Sequence, residues 1–311
     1  MEIDEGTFLM NKHDTIRYFI IWFGIVAIAL LVCMPHLMSA FSEMKMTTVI
    51  KGYDSSVSDL SESEIAKMKD AAEAYNEKIY EQQKYTPFRY QGAGPGKKDK
   101  EYYSLLNPSK DYDMMCTMSI PKISLNLPVA HGTNGDNLYY ELGHMYGTSL
   151  PWGGDNTHSV IAGHSGLKSA DLFTNIHKLK KGDKFYIYIL DEIHEYTVDQ
   201  IRTVLPSDES QYLQVEDGKD LCTLYTCTPI GVNDHRLLVR GTRTGTQKIN
   251  AGSGGSISDN HFEKEALIKF LLWLMLPMAL FLAGVIRLIY LEKKAKKQYL
   301  EGEAECETGK K

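Results

Sequence analysis

A chain of 311 residues, 43% hydrophobic and 24% charged, is long enough for one good-sized globular domain with appendages. Its net charge of -6 lacks the basic excess that nucleic-acid binding needs, so no nucleic-acid partner is expected. Its five cysteines show no metal-type spacing, and neither a metal nor another cofactor is expected.

In chain order, residues 1–15 form a short polar tail, and residues 16–38 form the first strongly apolar segment. A second apolar segment covers residues 265–291. Each approaches the roughly 20 residues that a helix needs to cross a bilayer. The first is longer than the ~7–15-residue core of a cleaved signal and lacks a small-x-small site after it, so it reads as a retained anchor. Lys12 and Arg17 precede or begin the first span, while Arg287, Lys293, Lys294, Lys296 and Lys297 crowd the far end of the second. Basic flanks stay cytoplasmic, which places the 1–15 tail and the basic 292–311 tail inside and the stretch between the spans outside. Trp22, Trp273 and Tyr290 suit the lipid interface, so membrane lipid is an expected partner.

Residues 39–104 should carry an extracellular helix and a loop. Ser61-Glu-Ser-Glu64 has the form of a capping box, and Ile65, Met68, Ala72, Tyr75, Ile79 and Tyr80 fall near one helical stripe through to Tyr85. Thr86-Pro87-Phe88 opens a glycine- and lysine-rich loop containing Gly92, Gly94 and Gly96. From 105 to 243, short alternating runs near 114–120, 125–130, 158–163, 184–190, 194–205, 221–227 and 236–243 predict a mainly β domain. That spacing suits a closed barrel or a sandwich. Leu172–Leu179 predicts a short helix between strands. Residues 244–264, rich in glycine and serine, read as a flexible tether.

The chemistry concentrates in Thr223-Leu-Tyr-Thr-Cys227-Thr-Pro and in Asn233-Asp-His-Arg236-Leu-Leu-Val-Arg-Gly. Two strands around a seven-residue loop, Thr228–Asp234, put Cys227 at one strand end and Arg236 at the start of its neighbour. A permanently charged guanidinium beside a thiol favours the thiolate and an acyl intermediate. The base missing locally is supplied by His164, in Ser159-Val-Ile-Ala-Gly-His-Ser-Gly166, where another apolar strand ends in a glycine-flanked loop. His131, His144, His158 and His235 read as structural or rim histidines. Arg240 and Arg243 read as packing or solvated residues, with Arg240 sharing the strand face of Arg236. Cys222 lies five positions before Cys227 and points to the opposite face. Cys116 and Cys222 are open to two readings, an exterior disulfide or two buried free thiols.

These motifs resemble the signature of class C sortases, the pilus-assembling transpeptidases of Gram-positive bacteria. The resemblance extends through Ile120-Pro-Lys-Ile123, Leu127-Pro-Val-Ala-His-Gly-Thr133, Gly147-Thr-Ser-Leu-Pro151, Leu172-Phe-Thr174, Lys181-Gly-Asp-Lys-Phe185 and Val204-Leu-Pro-Ser-Asp208. It implies an eight-stranded sortase β-barrel flanked by two transmembrane helices, in the membrane of a Gram-positive cell. It further implies that Cys227 attacks the threonine carbonyl of an LPxTG-like sorting signal on a pilin precursor. A lysine amine of another pilin subunit would then take the acyl group. His164 would act as acid and base, and Arg236 would hold the oxyanion or a substrate carbonyl. In the family, Asp-Pro followed by an aromatic forms a lid over the thiol; here Thr86 replaces the acid, so the resemblance implies a lid of Thr86, Pro87 and Phe88 held mainly by the ring. Ile230 stands where the family usually has tyrosine. The alternatives are a sortase that attaches single proteins to peptidoglycan and a non-catalytic pilus-assembly scaffold.

Overall fold

The computed structural model describes residues 12–90, 99–109, 111–133, 138–167, 170–249 and 260–308. The chain divides into two compact units, residues 1–37 with 268–311 and residues 38–267.

In the first unit, the start of helix α1 (Lys12–Ser58) and most of helix α4 (Asn260–Thr308) expose their apolar side chains. Phe23 and Leu31 are each 77% exposed. Helices apolar all round need a non-aqueous surrounding, and both are long and apolar enough to cross a bilayer. The Tyr18 hydroxyl donates to the Gly284 carbonyl at 3.1 Å. A Cβ at Gly284 would stand 3.3 Å from the Trp22 ring, so glycine there permits the close approach. His36 stacks on Trp273 with centroids 3.9 Å apart.

The second unit is built on a barrel. Its strands are β1 (Cys116–Ile120), β2 (Leu125–His131), β3 (Leu142–His144), β4 (Thr157–Ala162), β5 (Lys184–Ile189), β6 (Glu192–Val204), β7 (Asp220–Thr228) and β8 (His235–Lys248). They close in the order β1-β2-β3-β4-β7-β8-β6-β5, and β5 pairs back onto β1. Closure leaves no sheet edge among these strands. Its interior is filled by fully buried side chains including Met118, Ile161, Phe173, Phe185, Ile187, Tyr196, Leu224 and Val239. β2–β3 and β4–β7 are parallel pairs; the other ladders are antiparallel.

Helix α2 (Glu62–Tyr85) starts at the expected capping box. The Glu64 amide donates to the Ser61 hydroxyl at 3.3 Å, and the Ser61 amide donates to Glu64 at 2.8 Å. Its buried face is Ala72, Asn76 and Ile79. Asn76 acts as a backbone surrogate, accepting from the Leu150 amide at 2.6 Å and donating to the Leu150 and Gly153 carbonyls.

Three expectations change, and two elements are new. Helix α1 does not stop at 38 but runs to Ser58, because Met46, Val49, Ile50, Tyr53 and Val57 repeat at helical spacing and pack on the barrel. The Tyr53 hydroxyl donates to the Met115 carbonyl at 2.9 Å and accepts from the Leu190 amide at 3.1 Å. The barrel extends past 243, since β8 pairs with β6 as far as Lys248↔Glu192; residues 250–259 of the expected tether lie outside the described residues. Leu172–Leu179 contains a single 3-10 turn, Ile176–Lys178, with Phe173, Ile176 and Leu179 turned into the core. The short helix α3 (Lys100–Ser104), capped by Asp99, and strand β3 were not anticipated.

Candidate active site

Parallel pairing of β4 with β7 brings their carboxyl ends side by side. The last pair is Ala162↔Tyr225, and the chain continues two residues to His164 on one side and to Cys227 on the other. Three bonds tie these exits together. The Gly163 amide donates to the Tyr225 carbonyl at 3.1 Å. The Thr226 hydroxyl donates to the Gly163 carbonyl at 2.7 Å, and the Ser165 hydroxyl to the Cys227 carbonyl at 2.6 Å. His164 is therefore flanked by two residues bonded to the strand that carries Cys227. Its own carbonyl accepts from the Phe173 amide at 3.0 Å.

The antiparallel β7–β8 ladder then places Arg236 directly opposite Cys227. Such cross-strand neighbours share a face with Cβ atoms roughly 4.5–5.5 Å apart. The Arg236 Nε donates to the Tyr225 hydroxyl at 2.7 Å, and Nη1 donates to the carbonyls of Asn233 at 3.0 Å and His235 at 3.1 Å. Burial opposes the guanidinium charge, but Tyr225, Cys227 and Glu209 outweigh it and hold Arg236 above its ordinary value. Cys227 is partly exposed, whereas Cys116 and Cys222 are fully buried free thiols whose ionisation burial pushes up. Of these three thiols, Cys227 is the accessible one.

Thr86 and Pro87 are exposed; Phe88 is 8% exposed. It belongs to a buried cluster with Met145, Val160, Ala162, Leu213, Tyr225 and Leu238. Three members of that cluster, Ala162, Tyr225 and Leu238, lie two positions in sequence from His164, Cys227 and Arg236 respectively. Gln214 clamps the same residue by its backbone, accepting from the Phe88 amide at 2.8 Å and donating to the Phe88 carbonyl at 2.9 Å. Two residues on, the Tyr90 ring lies 6.2 Å from that of Tyr225. Gly92, Gly94 and Gly96 fall outside the described residues.

The remaining candidates have structural partners. His131 is buried between Asp113 and the Leu105 carbonyl. His144 meets the Tyr102 hydroxyl at 2.8 Å and the Ser149 carbonyl at 2.9 Å. His158 meets the Gln214 carbonyl and the Thr223 hydroxyl, each at 2.7 Å. Burial pushes both His144 and His158 down to about 4, so they are neutral at ordinary pH. His235 is half-buried beside Asp234. Arg240 is held by Asp199 and Glu216, and Arg243 by Asp220 and the Trp152 carbonyl.

Glu209 and Gln214 are among the site-adjacent residues not singled out from sequence. Glu209, in the 3-10 turn Glu209–Tyr212 between β6 and β7, is 4% exposed and accepts from the Tyr225 hydroxyl at 2.8 Å. Gln214, in the same connection, holds Phe88. Both act on partners far away in sequence, and neither residue type nor spacing signals that.

A partly exposed thiol, a cation in register across the ladder and a histidine on the adjoining strand end make up the equipment of a cysteine acyltransferase on a closed β-barrel. The comparisons agree. A family model described as the sortase domain matches residues 118–244. Sortase A of Bacillus anthracis is 36% identical over 131 residues, which is 42% of this chain and 60% of that protein. Sortase A of Listeria monocytogenes is 30% identical over 150 residues, 47% of this chain and 65% of that one. The chain thus spans less than two thirds of these curated relatives. Among solved structures, sortase C1 from Streptococcus agalactiae is 43% identical with a TM-score of 0.58, covering 64% of this chain and 98% of that one. Sortase C from Streptococcus pneumoniae is 37% identical with a TM-score of 0.56, covering 65% of this chain and 100% of that one. The chain belongs to the sortase family, whose members are cysteine transpeptidases, and the two solved neighbours named above are class C sortases.

Proposed function

We propose that the protein is a membrane-anchored transpeptidase that cleaves an LPxTG-like sorting signal on a pilin precursor and joins the threonine carbonyl to a lysine amine of another pilin subunit. The observation that carries this reading is the register Cys227↔Arg236, with His164 two residues beyond the adjoining Ala162↔Tyr225 pair. The Cys227 sulfur adds to the threonine carbonyl, and Arg236 donates to the oxygen as it becomes anionic. Collapse breaks the threonine–glycine C–N bond, His164 protonates the departing amine, and a thioester remains. The incoming lysine amine attacks that thioester, His164 takes its proton, and the isopeptide forms as the thiolate leaves. No nucleotide is consumed, because the peptide bond broken supplies the acyl group for the one made.

The likeness to class C sortases supports pilin as substrate. The two long apolar helices support anchoring, and the basic flanks support a topology with both ends cytoplasmic and the barrel outside. We assign the Thr86-Pro87-Phe88 segment as the lid over the site, held closed by its ring and by Gln214 rather than by an acid.

The test offers the full chain in detergent a sorting-signal peptide with two competing amines, a lysine-bearing pilin segment and a glycyl peptide. Preferential ligation to the lysine ε-amine is expected. Preference for the glycyl amine would overturn the pilin assignment in favour of attachment to peptidoglycan, and no ligation to either would leave only a scaffold.

A further inference from the structure

Arg236 has donors to spare, and their allocation is informative. Nε and Nη1 are committed to the Tyr225 hydroxyl and to the carbonyls of Asn233 and His235. Nη2 has no protein acceptor among the described residues, so it is the nitrogen left for a substrate oxygen. Asn233 takes a positive φ of 61°, a backbone state that aspects of asparagine chemistry tolerate, and it carries one of the acceptors. What decides whether Tyr225 can accept from Nε is the direction of its single hydroxyl proton. That proton goes to Glu209 Oε2 at 2.8 Å, which leaves the oxygen lone pairs facing the guanidinium. Glu209 Oε2 itself lies 3.6 Å from Nε, too far for a good hydrogen bond but close enough to attract the charge.

We propose that Glu209 is a positioning residue for the reaction, acting through Tyr225 to lock the Arg236 guanidinium with Nη2 presented to the developing oxyanion. The inference rests on the reading of Arg236 as the oxyanion donor. Three observations support it beyond the contact itself. Glu209 is buried on the short turn between β6 and β7, where an unpaired carboxylate would be expensive. Tyr225 is 7% exposed and precedes Cys227 by two positions on the same strand face, so the chain ends beside the nucleophile. Burial raises the Glu209 carboxyl while Tyr225 and Arg236 oppose the rise, as a carboxylate held in place by those two groups requires. Hydrogen-bonded chains of this kind polarise along their length, and removing the terminal acceptor frees the tyrosine proton to turn toward the arginine.

The test is a double-mutant cycle read by single-turnover acylation of Cys227 with a sorting-signal peptide, in the full chain in detergent. Loss of one orienting hydrogen bond in the transition state predicts that Glu209→Ala lowers the acylation rate constant about tenfold. Glu209→Gln, whose amide oxygen can still take the tyrosine proton, should regain most of that rate. In an Arg236→Lys background, which has no Nε–H to lock, Glu209→Ala should change the rate by less than about twofold. Tyr225→Phe, which breaks the chain in its middle and leaves Glu209 in place, should follow the same cycle should Glu209→Ala fold poorly. An equal loss in both backgrounds, or a wild-type rate in Glu209→Ala, overturns the proposal. Unaltered acylation in Arg236→Lys alone would instead refute the oxyanion role of Arg236, a distinct result.

Discussion

Removing the Phe88 ring should make Cys227 easier to reach. Phe88 is 8% exposed and shares a buried cluster with Ala162, Tyr225 and Leu238, each two positions in sequence from a member of the Cys227, His164 and Arg236 set. Burying a phenylalanine side chain stabilises the docked segment by roughly 1.5–3 kcal/mol. At about 2 kcal/mol, Phe88→Ala shifts the docked-to-open ratio about 30-fold. The Gln214 clamp survives that change, because it grips the Phe88 backbone. Gln214→Ala removes both of those bonds, each worth ~1 kcal/mol net, and should give a comparable opening. Thr86→Ala should do little, since that side chain is exposed and the helix cap there is made by the backbone amide to the Gln82 carbonyl. The assay is the rate at which a small charged thiol reagent modifies Cys227, followed by peptide mass mapping so that other cysteines are not counted. A rise of about tenfold or more in Phe88→Ala and Gln214→Ala, with less than about twofold in Thr86→Ala, is expected. Equal rates in wild type and all three variants would refute the lid.

Other outcomes follow from the same geometry. His164→Ala should reduce transpeptidation by roughly 10²–10⁴ as a lost acid–base group, and Arg236→Ala by roughly 10²–10³ as a lost oxyanion donor. Near-wild-type ligation by either variant would remove that residue from the mechanism. Stability should fall in mild acid. Burial holds His144, His158 and His194 down to about 4, so the unfolded chain takes up protons below its ordinary histidine value of about 6.5 while the native state does not. Their contribution is therefore present above that value and is lost as pH falls toward 4, at ~1.4 kcal/mol per pH unit for each. Glu141, which burial raises to about 7, gains its proton in the native state over much of this range and offsets about one histidine. The barrel melting temperature, read by near-ultraviolet dichroism, should drop between pH 6.5 and 5; a rise across that interval would contradict the burial argument.

Much of this architecture is legible in the chain because its causes are local. Ser61 and Glu64 announce the start of α2 within a single turn of helix, and alternation marks β5 and β6 as half-buried strands. The Cys227↔Arg236 register follows from a hairpin, so a short loop and two β-forming runs suffice to read it. What escapes has a non-local cause. Strand β3 is three residues long, too short for any period, and exists because Gly143 and His144 pair with β2 and β4. A Cβ at Gly143 would come 2.2 Å from the Gly132 carbonyl oxygen, a crowding that no property of the local sequence reveals. Glu209 and Gln214 look like ordinary polar residues of a connection, and only the folded barrel brings them to Tyr225 and Phe88. The continuation of α1 past residue 38 was masked by the change from an all-apolar run to a one-sided stripe, which marks a change of surroundings rather than the end of a helix.

The central claim is that Cys227 carries the acyl group. Full-length protein mixed with a sorting-signal peptide and no amine acceptor, then quenched in acid, should gain the mass of the peptide's N-terminal fragment through threonine, mapped to Cys227. Adding a lysine-bearing acceptor should discharge the adduct into an isopeptide, and Cys227→Ala should form neither. An adduct on Cys116 or Cys222, or ligation that persists in Cys227→Ala, would contradict the account.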